Sequence, residues 1–362
     1  MLGSRLTLCA EAGILIAMKK INVAINGLGR IGRAFLRVVK EREERGEKGE
    51  TGIEIVAVND LGDKANMEYL LKYDSVYGRS NCTLEGIKYL SEREPAKLPW
   101  KELGVDVVVE STGFFASAEK AQAHLAAGAK RVVITAPIKD DTPPQSSPLK
   151  RGGGQTILMG LNEENLKNCV ISSNASCTTN AASPVIAILD EAVGIEKAVL
   201  NTVHAYTATQ TLIDGPAGKK GFREGRAAAQ NIIPSSTGAA IAVTKAYPSL
   251  EGKFDGISLR VPVICGSIAD ITFIAKRDTT AEEVNNILRK AATDTRWQGI
   301  FAVAEEELVS SDILGRPEGA IAELSMTRVV GGNLVKVLAW YDNESGYANT
   351  LVKHVLKAGQ SL

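Results

Sequence analysis

Cys177 stands in the run Asn174-Ala175-Ser176-Cys177-Thr178-Thr179-Asn180, ahead of an apolar stretch with helical spacing. A thiol at a helix N-terminus meets unpaired amides and a partial positive charge, which favour the thiolate and so nucleophilic attack. The hydroxyls of Ser176, Thr178 and Thr179 could donate to a phosphate or an oxyanion. His204, in Thr202-Val203-His204-Ala205-Tyr206-Thr207-Ala208-Thr209, ends an extended apolar run. Spacing alone does not show that the two side chains touch, and a histidine at a strand end is often structural. Cys9, Cys82, Cys169 and Cys265 read as ordinary buried cysteines.

A second constellation lies near the start. Ile21 to Asn26 reads as a buried strand, Gly27-Leu28-Gly29-Arg30-Ile31-Gly32 follows, and a helix opens on it. In that context the first glycine makes the tight turn. The second admits a pyrophosphate against the backbone, and the third lets helix and strand pack closely. The next strand, Ile53 to Val58, leads to Asn59-Asp60, 28 residues after Gly32. A carboxylate there accepts from a ribose diol and repels a 2′-phosphate, so the pattern favours NAD over NADP.

These residues need a scaffold. The unit Ile21 to Val58 is strand, helix, strand, which calls for a parallel sheet with right-handed crossovers. The helix is expected to dissolve into a charged loop from Glu41 to Gly52. Strands at Val105 to Glu110 and Arg131 to Thr135, with a helix from Ala116 to Ala127, continue a doubly wound α/β pattern. Asp140 to Gly154 reads as a surface loop. Beyond about residue 175 the character changes. A helix from Cys177 to Ala192 precedes extended segments at Lys197 to Ala205, Lys253 to Val263, Ser267 to Lys276 and Leu334 to Tyr341. One helix, Ala281 to Thr293, interrupts them, and Ser345 to Ala358 is helical again. The expectation is a second, α+β domain with a mixed sheet.

Composition excludes several classes. Lys+Arg (42) cancels Asp+Glu (42) in 362 residues, so no basic footprint points to nucleic acid. Three histidines and five cysteines without a C-x-x-C pair argue against a metal centre or a disulfide framework, and for a reducing compartment. No apolar run reaches the ~18–20 residues of a bilayer span. Residues 1–17 precede Met18-Lys19-Lys20 and read as a leader or as an extension of a chain starting at Met18; they stay outside the fold argument.

The chain resembles phosphorylating glyceraldehyde-3-phosphate dehydrogenases. The resemblance rests on INGLGRIGR (25–33), NDL (59–61), YDSVYG (73–78), ESTGFF (110–115), SNASCTTN (173–180), HAYTATQ (204–210), GRAAAQNIIPSSTGAA (225–240), LRVPV (259–263) and WYDNESGY (340–347). These run in family order from residue 21 to 352, about nine tenths of the chain.

The resemblance implies a Rossmann NAD-binding domain over 18–176, completed by a C-terminal helix at 345–362. A catalytic and tetramerisation domain follows over 177–344. It implies that Cys177 attacks the aldehyde to give a hemithioacetal and that His204 is its base. Hydride would leave for the nicotinamide, and inorganic phosphate would cleave the resulting thioester to an acyl phosphate. Gly27, Gly29, Arg30, Ile31, Gly32, Asp60, Ser111 and Thr112 would hold NAD, with Asn343 orienting the nicotinamide amide and Tyr347 nearby. Thr207, Thr209 and Arg260 would bind the substrate phosphate. Ser176, Thr178, Arg223, Thr237 and Gly238 would bind inorganic phosphate; arginine suits both sites because its planar fork grips two oxygens. Tyr206 to Ala229 would reach a neighbour's cofactor in a cytoplasmic homotetramer.

The chain also departs from the family pattern. Gly78 to Pro95 is shortened, residues 139–155 are lengthened, and Ala181 replaces a second cysteine. Ile264-Cys265-Gly266-Ser267 replaces a polar run, and Ser345 replaces a bulky residue. Erythrose-4-phosphate dehydrogenase and a non-catalytic NAD-binding interaction protein are the competing readings.

Overall fold

The computed structural model describes residues 20–45, 52–139, 153–217 and 221–362. The leader, most of the charged loop after α1 and most of the 140–154 loop lie outside the described residues.

The first half forms β1 (Ile21–Asn26), α1 (Arg30–Glu44), β2 (Ile53–Asn59) and α2 (Lys64–Lys72). A small hairpin, β3 (Tyr73–Asp74) and β4 (Gly78–Arg79), precedes β5 (Lys88–Leu90) and β6 (Val107–Glu110). Then come α3 (Ala118–Ala126), β7 (Arg131–Ile134), β8 (Gly154–Thr156) and β9 (Ile171–Ser173). Seven strands make one parallel sheet in the order β5-β2-β1-β6-β7-β9-β8. β1 and β6 are neighbours at the point where the winding reverses, the place where such sheets open a crevice beyond their carboxyl ends. The shortened region contributes only the two-residue β4 and the three-residue edge strand β5.

α1 runs past the expected break at Glu41 as far as Glu44. Its charged last turn stays helical because Arg42 reaches Asn349 on the final helix (2.7 Å) while Glu41 and Glu44 face solvent.

The second half begins with α4 (Cys177–Val193) and β10 (Ile195–Ala205), followed by β11 (Ile233–Ser236), α5 (Ala239–Ala246), β12 (Phe254–Val261) and β13 (Ser267–Ala275). α6 (Ala281–Ala292), β14 (Phe301–Ala304), β15 (Ala320–Val330), β16 (Leu334–Tyr341) and α7 (Ser345–Gln360) complete it. Its mixed sheet has the order β11-β12-β10-β13-β16-β15-β14. α5 and β15 were not expected, so α6 is not the lone helix among these strands. α4, α5 and α6 cover one sheet face. The other face leaves Val199, Ile257, Met326 and Val330 exposed. α7 returns to pack on α1, β6 and β7.

Candidate active site

Four residues after β9, the backbone turns sharply into α4. Ala175 is fully buried with φ +54°, a left-handed conformation that costs a non-glycine residue roughly 1–3 kcal/mol. Two bonds hold it there. Ser173 Oγ accepts from the Ala175 amide (2.9 Å), and the Tyr347 hydroxyl donates to the Ala175 carbonyl (3.0 Å). Tyr347, expected beside the cofactor, is thus a buried brace for the turn that leads into Cys177.

The turn presents Cys177 as the first residue of α4, with its Sγ 3.4 Å from His204 Nε2. His204 reaches that point from near the end of β10. Its ring meets Tyr341 edge-on at 5.8 Å between centroids, and the Tyr341 hydroxyl bridges Thr178 (2.9 Å) and Thr202 (2.7 Å). Tyr341 received no role from the sequence. The available signal was its inward position on β16, where a buried tyrosine requires a hydroxyl partner.

Arg260, beside His204 in the β10–β12 register, places Nη1 2.6 Å from His204 Nδ1 and donates to the Ala205 carbonyl at 3.1 Å. His204 Nδ1 is also 2.6 Å from that carbonyl. Nδ1 can serve one of these partners at a time. With its proton given to the carbonyl, Nε2 faces sulfur with a free lone pair, the tautomer a general base needs.

The electrostatics differ from the expectation of a resting thiolate. Burial pushes the Cys177 thiol up, and Arg260 and the hydrogen bonds of Thr178 pull it back. A helix N-terminus is worth about 0.3–1 kcal/mol to a charge. Burial can move a group by up to ~3–5 pKa units, so burial wins. Burial first, then Arg260, pushes His204 down to about 3. The resting pair is a thiol beside a neutral imidazole.

Asn343 is buried, and its side-chain carbonyl accepts from Gly266 N–H (3.1 Å) and Ser267 Oγ (2.9 Å). That fixes the amide so that its NH2 points away from β13. The unusual 264–267 segment is therefore what orients Asn343.

At the carboxyl ends of β1, β2 and β6 lies a cavity of about 530 Å3, lined by Asn26, Gly29, Asn59, Asp60, Thr112, Phe114 and others. Gly27 has φ +96°, and a Cβ there would meet the Thr112 amide at 2.8 Å; one on Gly32 would meet the Gly27 carbonyl at 2.1 Å. A Cβ on Gly29 would meet nothing within 4 Å. Gly29 also opens α1 with no side-chain cap and no acidic residue in the first turn. This open, uncapped helix start fits a pyrophosphate. Asp60 accepts from Leu28 N–H (2.6 Å) and Gly62 N–H (2.8 Å), which aims its carboxylate for a ribose diol.

Other expected cofactor residues have different partners. The Arg30 guanidinium is held by Asp74 (2.5 Å) and Glu344, which raise it above the ordinary arginine value against the opposing effect of burial. It ties the glycine turn to the start of α7, leaving only its backbone and that of Ile31 at the helix start. The Ser111 hydroxyl donates to the Gly27 carbonyl (2.6 Å), and Thr112 is bound to Glu110 through both N–H and hydroxyl.

Among the phosphate candidates, Ser176 caps α4 by accepting from Thr179 N–H (3.1 Å), and the Thr178 hydroxyl faces Tyr341. Gly238 opens α5 without a side-chain cap, and the Thr237 hydroxyl accepts from Ala239 N–H. The Thr207 and Thr209 hydroxyls lie 2.9 Å apart. Gln210 holds this loop by accepting from Thr207 N–H (2.9 Å) and donating to buried Glu224, which also accepts from Ser235 (2.5 Å). That lock, not foreseen from sequence, ties the Thr207 turn to the segment Phe222–Gly225, in which Arg223 is exposed.

Among the described residues no cluster of side chains could hold a metal ion, and no helix is long and apolar enough to cross a membrane.

Comparison with known proteins agrees with this geometry. Residues 21–118 match the family described as glyceraldehyde 3-phosphate dehydrogenase, NAD binding domain, and residues 176–343 match its C-terminal domain. The chain is 46% identical to a glyceraldehyde-3-phosphate dehydrogenase of Streptomyces coelicolor, over 94% of this chain and 99% of that protein. It is 44% identical to that of Mycobacterium avium over the same shares. It is 42% identical to that of Clostridium pasteurianum, over 91% and 96%. With both domain models matched and relatives above 40% identity along nine tenths of its length, the chain belongs to the glyceraldehyde 3-phosphate dehydrogenase family.

Proposed function

We propose that this protein oxidises glyceraldehyde 3-phosphate with NAD and inorganic phosphate, using Cys177 as nucleophile and His204 as base. The observation that carries the reading is the 3.4 Å approach of Cys177 Sγ to His204 Nε2 at the N-terminus of α4. The Cys177 thiol passes its proton to Nε2 as sulfur adds to the aldehyde carbon, and Nε2 hands that proton to the new alkoxide, giving a hemithioacetal. His204, again neutral, removes the hemithioacetal hydroxyl proton. Bound NAD supplies the hydride acceptor. Asn343, its carbonyl fixed, offers its NH2 to orient the carboxamide of that group. A phosphate oxygen then attacks the thioester carbon, the carbon–sulfur bond breaks, and Cys177 leaves as thiolate with the acyl phosphate released.

Thr207, Thr209 and Arg260 form the substrate-phosphate side. Thr237, Gly238 and Arg223, with Ser176 and Thr178, form the inorganic-phosphate side, where the uncapped start of α5 supports the assignment. The unit 18–176 with 345–362 binds NAD, and 177–344 carries catalysis. The exposed apolar face of the second sheet supports assembly as a homotetramer, its four copies burying that face. Cys82, Cys177 and Cys265, none of them in a disulfide, support a reducing, cytoplasmic setting.

The test is NADH formation with trapping of the acyl phosphate. Activity must require phosphate and vanish on alkylation of Cys177. Equal turnover without phosphate, or preference for erythrose 4-phosphate, would overturn the substrate assignment.

A further inference from the structure

Beneath the NAD cavity lies a row of polar side chains that no step of the reaction uses. Asn59, Asn26 and Glu110 are in register across β2, β1 and β6, and each is 5% exposed or less. Each stands one residue before a turn that faces the cavity: Asn59 before Asp60, Asn26 before Gly27, Glu110 before Ser111.

The row is bonded in one sense. Asn59 Nδ2 donates to Asn26 Oδ1 (2.7 Å), and Asn26 Nδ2 donates to Glu110 Oε2 (2.6 Å). Glu92 N–H donates to Asn59 Oδ1 (2.8 Å), so the first amide is fixed from outside. At the far end, the Trp100 indole donates to His124 Nδ1 (3.0 Å). An indole can only donate, so Nδ1 is the acceptor, and Nε2 carries the imidazole proton. Nε2 lies 3.0 Å from Glu110 Oε2 and donates to it. Glu110 Oε1 accepts from Thr112 N–H (2.9 Å) and the Thr112 hydroxyl. All four lone-pair positions of the carboxylate are filled, by one donor each from β1 and α3 and by two from the turn itself.

We propose that Glu110, oriented by His124 and Trp100, is a positioning residue for NAD. It fixes how the Gly27, Asp60 and Ser111–Thr112 turns stand relative to one another, and so the affinity of the cavity for the coenzyme. The inference rests on the cavity being the NAD site, as proposed above. A fully satisfied buried network specifies one arrangement, whereas a single donor facing another donor destroys that arrangement.

Glu110→Gln makes such a conflict, because its amide NH2 must face Thr112 or the donors of Asn26 and His124. The expected result is an NAD Kd by calorimetry, and a KM for NAD, raised about tenfold. kcat at saturating NAD should change less than twofold, and the aldehyde KM should hold. Trp100→Phe keeps the ring packing and removes only the donor to His124. It should raise the Kd about threefold and shift the nitrogen NMR signal of His124 Nδ1, which loses its donor, while Glu110 still holds the proton on Nε2. An unchanged Kd in Glu110→Gln with a lowered Tm overturns the proposal and leaves the row as a stability feature. Should Glu110→Gln not fold, Trp100→Phe decides: a shifted His124 Nδ1 signal with an unchanged Kd overturns it equally. Asp60→Ala separates the two levels. If it leaves NAD binding intact, the site assignment itself fails; if it weakens binding while the other two variants do not, only the positioning role fails.

Discussion

Two helices in this molecule begin at the proposed coenzyme and catalytic sites, and they begin differently. α1 follows Gly29 with no side-chain cap, no acidic residue in its first turn and open space where a Cβ would stand. α4 follows Ser176 with a complete capping box: Ser176 accepts from Thr179 N–H, and the Thr179 hydroxyl returns to the Ser176 backbone. Asn180 reinforces it by donating to the carbonyls of Asn174 and Ser176. The first helix keeps its amides for an anion. The second gives its Thr179 amide to its own cap, while the Cys177 and Thr178 amides bond the sulfur and lower its thiol against the larger effect of burial. Arg260 adds the largest opposing pull, and His204 Nε2 stands 3.4 Å away to take the proton. α5, uncapped after Gly238, follows the pattern of α1, in keeping with a phosphate there.

The contrast can be broken or sharpened by substitution. Cys177→Ala should lower NADH formation on the order of 10^4-fold or more, while calorimetry finds NAD affinity unchanged within twofold; joint loss of both would mean the two helix starts are not independent. His204→Asn, which removes the base but leaves the sulfur, should lower kcat by about 10^2–10^4-fold. Gly29→Ala should weaken NAD about tenfold with no change in Tm, since its methyl enters space the protein itself does not fill. Loss of stability instead would show that α1 is not the open member of the pair.

Arg260→Ala sharpens the electrostatic side. The guanidinium lowers both the Cys177 thiol and the His204 imidazole, so its removal lets both rise. The pH profile of Cys177 alkylation should move to higher pH, with less reactive thiolate at any given pH. An unmoved profile would mean that Arg260 does not act on the sulfur. The smallest effect is expected at Ser176→Ala, which removes a cap worth about 1 kcal/mol. That should lower Tm by about 2–4 °C in a domain of this size and leave NAD affinity alone.

Much of the fold was legible where local signals are strong. The run Ile21–Asn26 and the helix opening on Gly29 appear as read, because glycine sterics and apolar runs act over a few residues. β15 was missed because Ala320 to Val330 has weak alternation, and its pairing with β14 and β16 defines it. β8 and β9 are three-residue strands that exist only by adding to a sheet already formed. The short α5 is mostly alanine and small residues, and its packing on α4 and β12 makes it a helix. At the site, the resemblance made Arg30 a coenzyme residue; Glu344, 314 residues away, takes its side chain.

The amino-acid order alone determined Cys177's place at a helix start, the glycine turn and the acidic end of the second strand. Each follows from backbone sterics or capping chemistry within a short window. Folding in three dimensions decided which groups meet: Cys177 with His204, Tyr341 behind both, and Asn343 held by the start of β13. It also decided the charge state of the resting pair, because burial depends on everything that surrounds a group, and no stretch of neighbours encodes that.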